Sequence, residues 1–144
     1  MERRVTLTPI DPSALCAALP WLDKSLTEAE SLEPPLVSLL PGREGEAFAL
    51  VLVGGEPAGY VGYALHAGLL TILALAIEPA RRNLGFGAEA IYALEELNSA
   101  ARALALVPLG NGLAVYFWLR VGYRPVFASD HGRHGFTVMR RVLR

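Results

Sequence analysis

Apolar positions along this chain follow two rhythms, and the change between them outlines the fold. Residues 47–53 and 58–65 are strand-like runs flanking Gly54-Gly55-Glu56-Pro57, a strong hairpin signal. Residues 69–77 form a third, almost continuous apolar run, as expected of a strand covered on both faces. Beyond it Ala90, Ile91, Leu94 and Leu97 recur at helical spacing, which predicts a helix over 87–98. Before these runs, residues 4–8 read as a first strand. Asp11-Pro12 is a helix start, an N-cap acceptor with proline at the first helical position, and that helix ends before Pro20. Ser25 with Glu28, or Thr27 with Glu30, fits a capping box for a second short helix closed by Pro34 and Pro35. Residues 36–46 read as loop. Later, 101–107 is a strand whose alanines could instead prolong the preceding helix. A helix over 111–119 is terminated by Gly122, and 123–128 and 136–143 are the last strands. Hairpins at both ends with helices between them predict a mixed sheet, α+β in class.

Composition narrows the possibilities. A chain of 144 residues is one domain, 1–144, able to bury about two-thirds of the surface its unfolded form exposes. The net charge of −1 and scattered arginines give no electrostatic footprint for nucleic acid. One cysteine, Cys16, excludes a disulfide framework and points to a reducing, cytoplasmic setting. It falls in an apolar stretch and reads as a buried structural thiol. The start, Met1-Glu2-Arg3-Arg4-Val5, lacks the apolar core of a signal peptide, and residues 64–77 are too short and too broken to span a bilayer. The apolar content of 53% is compatible with a homodimer. Three histidines without close acidic partners imply no metal.

The candidate chemistry lies between the apolar run and the helix. Arg82-Asn83-Leu84-Gly85-Phe86-Gly87, entered through Ile77-Glu78-Pro79, is a glycine-rich loop joining a buried strand to a helix. It offers backbone N–H groups without side chains in the way, and the helix start adds roughly half a positive charge. That suits a phosphate or pyrophosphate. A tight turn whose glycines serve only packing is the other reading of this segment. A P-loop is excluded, because the sole lysine is Lys24. Gly85-Phe86-Gly87-Ala88-Glu89-Ala90 matches the letters of a dinucleotide fingerprint. However, Pro79 to Arg82 separates it from the strand, and no acid occurs between Glu96 and Asp130 to hold a ribose.

Three stretches resemble the GNAT superfamily of N-acetyltransferases. Ile77-x-Pro79-x-x-Arg82-x-x-Gly85-x-Gly87 is similar to that family's acyl-coenzyme A pyrophosphate loop. Asn111-x-x-Ala114, Trp118 and Gly122-Tyr123 are similar to its second motif. Phe136-x-x-Met139-Arg140-Arg141-x-Leu143 is similar to its closing strand. The resemblance implies a central mixed, mostly antiparallel sheet of six to seven strands with about four helices, its fourth and fifth strands splayed. It implies that unpaired backbone around Leu75, Ala76 and Ile77 holds the pantetheine arm of acetyl-coenzyme A. The amides of Asn83, Leu84, Gly85, Phe86, Gly87 and Ala88 would bind the pyrophosphate. Arg82 would supply a cation, and Asn111 would contact the coenzyme.

One position departs from the pattern. Trp118, seven residues after Asn111, stands where the family usually has a tyrosine, commonly its general acid. Tryptophan donates one hydrogen bond but is no useful acid near neutrality. If the leaving thiol resembles cysteine, with a pKa of about 8.5, releasing it unprotonated at pH 7 costs roughly 2 kcal/mol. Trp118 then reads as an apolar wall with an N–H for the coenzyme.

A base must deprotonate an amine acceptor before it attacks. Glu78, where the fourth strand ends, is one candidate; a solvated carboxylate is the alternative. His66 is a second, and a surface or structural histidine is its alternative. His131 and His134 sit in a loop that could line the acceptor site or be an exposed turn. Residues 103–107 lack the acid carried there by some relatives that acetylate protein N-termini. Glu28, Glu30 and Glu33 could attract a cationic amine, and residues 36–40 could border an apolar acceptor pocket. The sequence therefore points to acetyl transfer to a primary amine of a small molecule or peptide. An acyl-coenzyme A binding or sensing domain with little turnover is the alternative.

Overall fold

A computed structural model describes residues 4–22, 46–66, 68–82, 84–98, 101–108, 112–126 and 136–142. Among the described residues seven strands form one sheet: β1 (Val5–Pro9), β2 (Glu46–Val53), β3 (Glu56–His66), β4 (Leu69–Ile77), β5 (Arg102–Pro108), β6 (Arg124–Pro125) and β7 (Phe136–Val142). Their order is β1-β2-β3-β4-β5-β7-β6, and only the β4–β5 pair is parallel. Among the described residues three α-helices accompany it: α1 (Leu15–Ala18), α2 (Phe86–Asn98) and α3 (Gly112–Val121). None is long and apolar enough to cross a membrane. The α+β class and the mostly antiparallel sheet agree with expectation. The helix expected after Ser25 or Thr27, and the loop holding His131 and His134, lie outside the described residues, as do Glu28, Glu30, Glu33 and residues 36–40.

Local chemistry explains the elements. Val53 faces Glu56 across Gly54 and Gly55, whose φ values are 59° and 84°. Two left-handed residues in a two-residue loop make a type I′ turn, which glycine adopts without a Cβ clash. Asp11 accepts from the Ser13 N–H at 2.9 Å and caps a 3-10 turn, Pro12–Ala14, that runs into α1. Gly122, at φ 109°, ends α3. The Tyr123 N–H donates to the Trp118 carbonyl at 2.9 Å and the Gly122 N–H to that of Leu119 at 3.1 Å, the paired bonds of a Schellman motif. Tyr123 is used by that cap, so β6 begins one residue later than the sequence suggested.

Strand alternation divides the core between two faces. Phe48, Leu50, Tyr60 and Ala74 meet Leu15, Leu19 and Leu22 on one face. Val61, Ile72, Ala103, Ala105 and Val107 meet Ile91 and Leu94 of α2 and Trp118 and Val121 of α3 on the other. Cys16 is exposed, contrary to expectation. Leu15, Leu19 and Leu22 take the inward stripe of this short segment, and one helical step turns Cys16 away from it.

The far end of α2 carries a closed polar knot. Glu95 is 7% exposed and accepts the Tyr123 hydroxyl at 2.7 Å, with Arg141 Nε at 3.8 Å. Burial pushes the Glu95 carboxyl above the ordinary range, opposed by the Tyr123 bond and the Arg141 charge. Among the described residues no buried side-chain nitrogen or oxygen lacks a partner.

Candidate functional site

The site begins where a ladder stops. β4 pairs with β5 only from Leu69–Arg102 to Ile72–Ala105. β4 continues to Ile77, and β5 continues to Pro108 against β7 alone. The two neighbours therefore part after Ile72, as the resemblance implied. On the β3 side Gly62 faces Ala74 and Tyr63 faces Ile72, so Leu73 is an extra residue, a β-bulge at the point of parting.

Past the bulge, backbone direction follows from the antiparallel ladder. The Glu78 N–H donates to the Ala58 carbonyl at 2.7 Å, so Glu78 faces β3. By alternation Ala76 also faces β3, opposite Tyr60, while Leu75 and Ile77 turn their N–H and C=O groups to the opened side. Arg82 Nε donates to the Ile77 carbonyl at 2.8 Å. That bond ties the loop to the strand end and leaves the Leu75 groups and the Ile77 N–H along the gap.

The loop then delivers a helix start whose cap has no side chain. The Glu89 N–H reaches the Gly85 carbonyl at 3.1 Å, so Gly85 is the N-cap of α2. An N-cap serine, threonine, aspartate or asparagine would bond an amide of the first turn with its own side chain. Gly85 has no such group, so among the described residues no cap side chain takes the N–H donors of Phe86, Gly87 and Ala88. Gly85 takes φ 86°, which a side chain would resist, and Leu84 beside it is 55% exposed. Gly87 serves a different end. A Cβ there would lie 3.1 Å from the Phe117 ring and 3.8 Å from Ile77 Cγ1, so the bare α-carbon lets α3 and β4 pack on α2.

Trp118 is 6% exposed and packs edge-on against Tyr123 at 4.8 Å and against Phe117 at 5.2 Å. Glu78 lies at the junction of β4 and the loop. Its carboxylate is 3.5 Å from Arg81, which also holds Glu56 at 2.6 Å and the Pro57 carbonyl at 3.1 Å.

The structure thus brings Leu75, Ala76, Ile77, Glu78, Arg82, Leu84, Gly85, Phe86, Gly87 and Ala88 into one strand-loop-helix unit. It does not bring His66 there. His66 ends β3 opposite Leu69, at the other end of β4, about 26 Å away by strand rise. Asn83 and Asn111 lie outside the described residues. One neighbour had no signal in the sequence: Arg4 forms an ion pair with Glu89 in the first turn of α2. Eighty-five residues separate the two, and no periodicity or motif links them.

Comparison with known proteins agrees with this geometry. A family model described as acetyltransferase (GNAT) family matches residues 15–123. No protein of curated function matches the sequence. Among solved structures, an acetyltransferase from Thermus thermophilus is 23% identical, with a TM-score of 0.72 over 98% of each chain. A GNAT-family acetyltransferase from Staphylococcus aureus gives a TM-score of 0.74 at 13% identity, over 97% of this chain and 99% of the other. The PaiA N-acetyltransferase of Thermoplasma acidophilum, solved with coenzyme A, gives 0.64 at 10% identity, over 97% and 99%. These likenesses establish the fold, and the family model, spanning most of the chain, establishes the lineage: the protein belongs to the GNAT acetyltransferase family.

Proposed function

We propose that residues 1–144 form one acyltransferase domain that moves an acetyl group from acetyl-coenzyme A to a primary amine. The amine belongs to a small molecule or peptide and attacks directly, with donor and acceptor bound together. Family membership carries acyl transfer in general; the acetyl donor and the amine are our reading. The observation that carries it is the glycine N-cap at the end of a half-unpaired strand. It sets free amides and an open strand edge side by side, matching a diphosphate joined to an amide-bearing arm. The fold neighbour solved with coenzyme A supports the choice of donor. A single cysteine and no metal-binding motif support a cytoplasmic, metal-free enzyme.

In this reading Phe86, Gly87 and Ala88 donate their N–H groups to the diphosphate, with Arg82 as the adjoining cation and Asn111 as a further contact. Leu75 and Ile77 bind the arm as an added strand would, and one of their N–H groups polarises the thioester carbonyl. Ala76 holds the strand to β3 from the other side. The coenzyme supplies the activated acyl group. Glu78, at the strand end, accepts the proton of the attacking amine; His66 is assigned no part, because it lies at the opposite end of β4. A carbon–nitrogen bond forms, the carbon–sulfur bond breaks, and the thiolate leaves. Trp118 gives it an N–H but no proton, so the proton comes from water.

Trp118 also supports a second reading, a domain that binds or senses acyl-coenzyme A with little turnover. Calorimetric titration with acetyl-coenzyme A, followed by a thiol-release assay with a panel of amines, separates the two. Binding with amine-dependent thiol release supports the enzyme. Binding without release supports the sensor, and absence of binding overturns both.

A further inference from the structure

The Arg4 side chain meets the loop and the first turn of α2 at three points. It pairs with the Glu89 carboxylate, its Nη2 reaches the Leu84 carbonyl at 3.5 Å, and its guanidinium carbon lies 4.9 Å from the centre of the Phe86 ring. The same Nη2 is 3.7 Å from where a Cβ on Gly85 would sit. The backbone anchors it, because the Arg4 carbonyl accepts the Gly54 N–H at 3.1 Å and the next residue, Val5, is buried. The side chain is nevertheless 60% exposed, so part of its five-donor fork still faces solvent.

Glu89 gives this contact its meaning. A carboxylate in the first helical turn suits a bare helix start, since it complements the positive end of the helix. It is badly placed once an anion comes to the same amides, because like charges then face each other across a few ångströms. Arg4 sits on that carboxylate and beside the amides at once.

We propose that Arg4 is the second cation of the coenzyme-phosphate subsite, cancelling Glu89 and offering its exposed N–H groups to a phosphate ester of the ligand. This rests on the coenzyme reading above. It gives the first strand of the chain a part in ligand affinity as well as in the sheet. It also gives the two partners of one ion pair opposite effects. Loss of Arg4 exposes the ligand to Glu89, whereas loss of Glu89 removes a repulsion and frees Arg4 for phosphate.

Calorimetric titration of the full chain with coenzyme A and with dephospho-coenzyme A tests this. Arg4→Gln should weaken coenzyme A binding about fivefold to tenfold, and Arg4→Lys should stay within about twofold of the unaltered protein. Glu89→Gln should tighten binding by about threefold, and these differences should shrink in about 0.5 M salt. A penalty that disappears with dephospho-coenzyme A places the contact on the 3′-phosphate; one that persists places it on the diphosphate. If both glutamine variants weaken binding alike, the pair is only a clasp and the proposal fails. It fails also if Arg4→Gln lowers the melting temperature but leaves affinity unchanged. An unaltered protein that binds no coenzyme overturns the functional reading with it, whereas normal affinity in a well-folded Arg4→Gln overturns this inference alone.

Discussion

Along its β3 side β4 is paired from Leu69 to Ile77 with a single bulge; along its β5 side pairing ends at Ile72. The closed edge is packed so tightly that Gly59 approaches Ala76 with no space for a Cβ, and Tyr60 is buried opposite Ala76. The open edge leads to a loop whose cap glycine touches little and whose Leu84 lies in solvent. One strand therefore carries a rigid seam and a receptive seam five residues long. Unpaired backbone is costly in a closed core but usable where a ligand completes it. The closed seam holds β4 to β3 while the open one waits for amide partners.

The strongest way to break this contrast is to force the closed seam. A Cβ on Gly59 would sit 2.1 Å from the Ala76 carbonyl oxygen and 2.9 Å from Ile77 Cδ1. Gly59→Ala should cost about 3 kcal/mol and lower the melting temperature by roughly 10 °C. An unchanged thermal melt would show that the seam yields easily. At the receptive end Gly85→Val should do the reverse. Its Cβ would meet only Arg4 Nη2 at 3.7 Å, but φ is 86°. Strain there costs roughly 1–2 kcal/mol, so the fold survives, while the altered amides lower coenzyme affinity about thirtyfold. Calorimetry with an equally folded variant reads that loss.

Alkali gives a milder probe of the closed seam. Burial pushes Tyr60 from 10.0 to about 12, with a smaller contribution from Cys16. A raised tyrosine favours the neutral form when folded. Its stabilising share is complete below pH 10 and is lost as pH rises through about 12. At pH 11 the loss is about 1.4 kcal/mol. Urea midpoints at pH 9 and pH 11 should differ less in Tyr60→Phe than in the unaltered protein, and equal slopes would refute the assignment. The smallest effect is expected at the junction of the two seams. Glu78→Gln should slow acyl transfer about fivefold at pH 7 and less at pH 9, where more of the amine is already neutral. A variant as fast as the unaltered protein at both pH values would remove Glu78 as the base.

What the sequence revealed divides along a physical line. The hairpin at Gly54-Gly55, the cap at Asp11 and the stop at Gly122 were legible because each depends on neighbours within a few residues. The loop was legible because its spacing is itself the structure. The bulge at Leu73 was hidden, since a continuous apolar run looks the same in either register. Cys16 reads as buried in the sequence and is exposed in the fold, because a one-turn helix is too short for an apolar stretch to reveal its inward face. Gly87 reads in the sequence as one of the phosphate glycines, yet its missing Cβ also makes room for Phe117, a partner thirty residues away. The Arg4–Glu89 pair is invisible in the sequence, because β1 meets α2 only through the tertiary fold, eighty-five residues away along the chain.

A crystal structure of the protein with coenzyme A bound would test the central claim most directly. The diphosphate should lie on the N–H groups of Phe86, Gly87 and Ala88, with the arm running along Leu75 and Ile77 in the gap beside β5. A coenzyme seated elsewhere, with those amides in water and that strand edge bare, would contradict it.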